Sequence, residues 1–243
     1  MIGERLKRAR AAAGMSMRAL ADKAGISANM IKKYEHNLSM PSSGKIITLA
    51  KALGIKSEYF FRPTNVTLEA VQYRNRHKFT SKSLKKIEAS ILEEVERWME
   101  LVNIYPSFPI KPFSPPISNP RLLNSLDEVD GYANQVRKSW DLGLNPIREL
   151  IDALEANGLL VIVTDIASNE RFDGLNAIVG NQKIIVISSN WPGDRQRFTL
   201  AHELAHIVLN GKLSKVINEE YACDRFAASF LLPSEAIKSY LGE

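Results

Sequence analysis

Over the first sixty residues, apolar positions recur at intervals of three and four and are cut by regular punctuation. "IGERLKRARAAAG" predicts a helix with Ile2, Leu6 and Ala9 on one face and Gly14 as its stop. "SMRALADKAG" predicts a second, with Ser16 as N-cap and Gly25 ending it. "SANMIKKYEH" predicts a third, capped by Ser27 and turning Met30, Ile31 and Tyr34 inward, while "SSGKIITLAKALG" and the short "SEYFF" complete five helices. The second and third meet at a tight turn, Gly25-Ile26, which makes a helix-turn-helix whose later helix can lie in a DNA major groove.

The pattern then changes. "NVTLEAVQYR" alternates like a strand. From Ser83 to Tyr105 a long helical stripe (Leu84, Ile87, Ile91, Val95, Trp98, Val102, Tyr105) needs a partner, and packing on a second domain is expected ahead of dimerisation. The Pro-rich "PSFPIKPFSPPISNP" reads as a stiff linker. Beyond Arg121, "SLDEVDGYANQVRKSWDLG" and "NPIRELIDALEANG" predict helices, the latter with Pro146 in its first turn and Gly158 as its stop. "LLVIVTD", "LNAIVG" and "KIIVISS" predict strands, the last two a hairpin joined at "GNQ", followed by helices at 194–210 and 217–231. The fold class expected is multi-domain: an all-α helix-turn-helix domain over 1–62, a strand, long helix and Pro-rich linker over 63–120, and an α+β domain over 121–243.

Composition narrows the function classes. Hydrophobic residues at 45% with 24% charged fit a globular chain, and no apolar run is long enough to span a bilayer, so no membrane is expected as partner. The N-terminal "MIGERLKRAR" lacks a signal-peptide core, and the single cysteine, Cys223, permits no internal disulfide, so the cytoplasm is the expected compartment. Charge is uneven: residues 1–60 carry eleven Lys and Arg against four Asp and Glu, a net +7 in a chain of +5, leaving −2 elsewhere. That excess points to a polyanion at the N-terminal domain, and Arg74, Arg76, Lys78, Lys82, Lys85 and Lys86 extend the basic run.

The pattern "ALADKAGISANMIKKYEHN…PSSGKIITLAKALGI" resembles the Xre/phage-repressor family over residues 1–61, in turn, caps and core together. The resemblance implies a five-helix domain that binds double-stranded DNA with helix 27–36 as recognition helix. Ser27, Ala28 and Asn29 open that helix, Asn29 being suited to adenine; Lys32 and Lys33, one turn on, reach guanine or phosphate. Many relatives carry Gln after the serine cap of the preceding helix; here Met17 stands there and Arg18 is the substitute phosphate contact.

"FTLAHELAHIVLNG" holds two of the chain's four histidines. His202 and His206, four apart, share one helix face and can hold one zinc ion, with Glu203 beside them to take a proton from an attacking water. A metzincin third histidine is excluded, because Lys212 and Leu209 occupy that pattern's His and Gly positions. The third ligand is therefore expected from "NEEYACDRFAASFLLP": Glu220, with Asp224 on the same face hydrogen-bonding a ligand histidine, and Glu219, about 100° away, as the alternative. Cys223 is read as a buried thiol ahead of a stray ligand.

"RQRFTLAHELAHIVLNG", Glu220 to Asp224 and "RFAASFLLP" together resemble the ImmA/IrrE (M78-like) metallopeptidase family over about residues 140–235. That resemblance implies a zincin-like, thermolysin-like site with Zn2+ held by His202, His206 and Glu220 and with Glu203 as general base and acid. Members are associated with cleavage of repressor proteins, and chains joining an Xre domain to this one occur as bacterial and phage regulators, some beside toxin genes. The function expected is a DNA-binding transcriptional regulator with a zinc endopeptidase domain acting on a regulatory protein, the chain forming a homodimer. The alternatives are an antitoxin-like repressor that binds a toxin with catalysis idle, or a ligand sensor without turnover. For the oxyanion, Tyr221, Arg195 and Arg197 are candidates by position along the chain alone.

Overall fold

The computed structural model describes residues 2–62, 69–73, 80–105, 107, 110–117, 121–165 and 172–242. It divides into two compact units, Met1–Thr67 with His77–Leu101 and Leu68–Arg76 with Val102–Glu243.

In the first unit, α1 (Ile2–Ala12), α2 (Met17–Ala24), α3 (Ala28–Glu35), α4 (Ser43–Leu53) and a 3-10 turn at Ser57–Phe61 follow the predicted order. Local chemistry sets the ends. Ser16 and Ser27 accept from the Ala19 and Met30 amides as N-caps, and Gly25 ends α2 at φ 59°, a left-handed conformation that glycine adopts without steric cost. Leu6, Leu20, Ile31, Leu49 and Phe60 are buried at the centre, whereas Met30 is only half-buried. Gly3 lets α1 meet the end of α3, since a Cβ there would collide with the Tyr34 and Glu35 carbonyls; its amide donates to Asn37 Oδ1 at 3.1 Å.

Three arginines of α1 are committed inside this unit. Arg10 is bidentate to the buried Glu35 at 2.5 and 2.8 Å, tying α1 to α3. Arg5 and Arg8 both donate to Glu96 on α5 (Ser81–Ile104), the latter at 2.8 Å. This corrects the expected fate of the long helix. Up to Leu101 it groups with the first unit, and Ile87, Ile91 and Val95 are buried along it. Periodicity shows that a stripe exists; the ion pairs to α1 join residues about ninety apart in sequence, which periodicity does not see.

The second unit carries a four-stranded sheet in the order β1-β3-β4-β2: β1 (Glu69–Tyr73), β2 (Leu159–Thr164), β3 (Gly174–Val179) and β4 (Gln182–Ser188). β3 and β4 form the expected antiparallel hairpin around Gly180, β2 runs parallel to β4, and β1 is an antiparallel edge strand on β3. The strand read in the connector thus completes the sheet of this unit. Residues of the Pro-rich segment also lie on it: a Cβ on Gly158 would collide with the backbone of Lys111 and Phe113, and Lys183 Nζ sits 4.9 Å from the Phe113 ring centroid. α6 (Leu126–Ser139), α8 (Gly193–Leu209) and α9 (Glu219–Leu231) pack Tyr132, Val136, Leu204, Phe226 and Phe230 into the core beneath the sheet, and α10 (Ser234–Leu241) follows.

One helix starts later than predicted. α7 spans Leu150–Ala156, so Pro146 precedes it instead of opening it. Two arginines bond carbonyls of the segment that precedes it. The buried Arg137 donates to Gly143 O, Asn145 O and Phe230 O, and Arg197 to Ile147 O and Arg148 O. Of the basic run in the connector, Arg74, Arg76 and Lys78 lie outside the described residues.

Candidate metal centre and nucleic-acid interface

α8 is buried over Thr199–Ala205 because "TLAHELA" offers small and apolar residues on most sides. Its ionisable exceptions are His202 and Glu203, both buried, while His206 one turn on is half-buried. α9 opens beside it at Asn218, whose Oδ1 accepts from the Tyr221 amide at 3.1 Å. That cap puts Glu219 and Glu220 in the first turn, where the helix dipole favours carboxylates.

The imidazoles are held from behind. His202 Nδ1 lies 2.7 Å from Asp224 Oδ1, and His206 Nδ1 lies 3.0 Å from Glu219 Oε1. Each carboxylate accepts from an Nδ1–H, which leaves Nε2 as the nitrogen that carries the lone pair on each ring. The two Nε2 atoms are 3.2 Å apart, and each is 3.5 Å from an oxygen of Glu220. Tetrahedral ligands at zinc bond lengths sit about 3.4 Å from one another. The donor set of two imidazoles and one carboxylate, converging within 4.8 Å, therefore fits a metal of this kind.

The sequence-predicted residues His202, His206, Glu220 and Asp224 are thus brought together, and Glu219 joins them through His206 Nδ1. Glu203 faces β3: its Oε2 accepts from Asn176 Nδ2 at 2.8 Å, and a Cβ on Gly174 would sit 3.5 Å from its Oε1. Asn176 is absent from the sequence expectations, although a buried amide within "GLNAIV" is the signal for it. Cys223 is fully buried and stands outside the cluster; burial pushes its thiol up, and the surrounding carboxylates add to that. Among the oxyanion candidates, Arg197 is engaged with the Ile147 and Arg148 carbonyls. Arg195 is engaged with Asp173 at 2.6 Å and the Trp191 ring, and Tyr221 is exposed on the first turn of α9.

In the first unit, Arg18, Ser27, Asn29, Lys32 and Lys33 are exposed, while Ala28 is half-buried against the core. Asn29, Lys32 and Lys33 are spaced by three and four along α3 and share one face. Ser27 Oγ is occupied as the cap of α3, 3.3 Å from the Met30 amide.

Two domain families account for these features. Residues 6–60 match the helix-turn-helix family model, and residues 155–243 match that of the IrrE N-terminal-like domain of the M78 peptidases. The chain therefore joins an Xre-like helix-turn-helix domain to a domain of a metallopeptidase family. It is 33% identical, over 60 residues, to a protein of Rhodospirillum rubrum described as an uncharacterized transcriptional regulator in an ATPase CF(0) region. That match spans 25% of this chain and 56% of the relative. No solved structure matches. Among the described residues, no helix is long and apolar enough to cross a membrane.

Proposed function

We propose that the chain is a DNA-binding transcriptional regulator whose second domain is a zinc-dependent endopeptidase acting on a regulatory protein. The observation that carries this is the convergence of His202, His206 and Glu220 on one point, one residue from the buried Glu203. A bound zinc supplies Lewis acidity, polarising a peptide carbonyl and lowering the pKa of water toward neutrality.

The chain's own residues do the rest. His202, His206 and Glu220 hold the ion, and Asp224 and Glu219 fix the histidine tautomers and ring orientations. Glu203 takes a proton from the attacking water and returns it to the leaving amine. The Asn176 amide holds one Glu203 oxygen, which orients the buried carboxylate. In the first unit Asn29 reads a base edge, and Lys32, Lys33 and Arg18 contact bases or phosphates.

The test is a survey of new protein N-termini in cells expressing the wild type or Glu203→Gln. New termini that require Glu203 support the reading. Identical termini in both strains contradict it.

A further inference from the structure

We propose that the outer edge of β3 is a docking edge for an extended polypeptide segment, and that β1 is its in-cis occupant. β3 connects this edge to the chemistry. Gly174 and Asn176 lie on one face of β3, and both approach Glu203 on α8. The strand beside them is β1, paired antiparallel with Gln72 opposite Asn176 and Tyr73 opposite Leu175. A polypeptide that reaches Glu203 by adding to this sheet takes the place that β1 holds, because the other neighbour of β3 is β4.

The pairing is built to exchange. β3–β4 and β2–β4 run in unbroken register, whereas β1 carries an extra residue between Glu69 and Gln72, where the register with β3 shifts. A bulge leaves a residue unpaired and breaks the ladder locally. β1 also lies at the edge of the sheet, so releasing it exposes one strand edge and leaves the other ladders intact. In chain order it falls between the 3-10 turn Ser57–Phe61 and α5, both of the helix-turn-helix unit. A partner segment that docks on β3 therefore frees a strand covalently flanked by the DNA-binding elements. The metallopeptidase reading enters only in making the partner a polypeptide; strand exchange needs neither metal nor turnover.

The experiment uses the full chain carrying Glu203→Gln, so that nothing is cut, and a fluorescein-labelled synthetic peptide of residues 65–75, read by anisotropy. Successive strand residues present their amides to opposite sides, so Val71→Pro/Gln72→Pro removes the amide that faces β3 in either phase. The opened protein is expected to bind the peptide about tenfold tighter than its parent or better, since an in-cis strand reduces apparent affinity by the fraction of time it occupies the edge. A peptide carrying the same two prolines is expected not to bind. Should the proline pair prevent folding, as its thermal transition shows, Val71→Gly/Gln72→Gly takes its place. Equal affinity for opened and parent proteins, no binding to either, or binding that tolerates the prolines in the peptide overturns the proposal. Loss of the zinc reading leaves this measurement unchanged.

Discussion

Asp224 Oδ1 lies 2.7 Å from His202 Nδ1, on the side of the ring away from His206 and Glu220. In the proposed zinc site this bond makes Asp224 an orienting group, which holds His202 Nε2 toward the ion without itself being a ligand. Asp224→Ala is expected to weaken zinc binding roughly 10–100-fold while Glu220→Ala abolishes tight binding, because the first loses an orienting bond and the second a ligand. Glu219→Ala is expected to lose affinity as well, through His206. Titration against a competing chelator orders the three. Glu219→Ala weaker than Glu220→Ala would reverse the two roles.

Asn176→Ala should retain zinc and lose roughly tenfold or more in turnover, since the amide positions Glu203 without touching the metal ligands. The loss should fall in kcat more than in KM. Asn176→Ala turning over at the wild-type rate would remove Asn176 from the site.

The His-His-Glu cluster is legible in the sequence because it is largely local. His202 and His206 are one helical turn apart, and Glu220 and Asp224 share a face on the next helix, so two short periodic segments specify four side chains. Glu219 has a part that its helix position alone does not reveal. The rotation between neighbours on a helix turns it from Glu220's direction, and that same rotation lets it reach His206 Nδ1. Asn176 depends on a strand folding beneath a helix 27 residues later, and the α5 ion pairs depend on contacts about ninety residues apart; neither has a period in the sequence. The start of α7 escapes the sequence for a related reason, because carbonyls just before it accept from Arg197, about fifty residues away.

Glu96 sits between Arg5 and Arg8 with all three side chains largely buried, so Glu96→Ala strands positive charge in a desolvated place. The expected loss is about 3–5 kcal/mol from the unfolding transition of the helix-turn-helix unit, measured on the full chain in urea. A change under about 1 kcal/mol would show that this triad contributes little.

The committed arginines also change the electrostatics of DNA binding. Arg5, Arg8 and Arg10 are engaged in ion pairs within this unit, so the salt dependence of binding rests on exposed groups such as Arg18, Lys32 and Lys33. Lys32→Ala and Lys33→Ala should each lower the slope of log affinity against log salt by about 1, whereas Asn29→Ala should flatten base preference at one position by about 1–3 kcal/mol. Binding titrations of the full chain on selected and random duplexes check both. An Asn29→Ala protein with undiminished preference would place base reading elsewhere.

The central claim, a catalytic zinc held by His202, His206 and Glu220 with Glu203 acting on water, is tested most directly by elemental analysis of the wild type, Glu203→Gln and His202→Ala. Wild type and Glu203→Gln are predicted to carry about one zinc per chain and His202→Ala almost none, the pattern of a three-ligand site in which Glu203 is not a ligand. Zinc retained in full by His202→Ala, or lost equally from Glu203→Gln, would contradict the account.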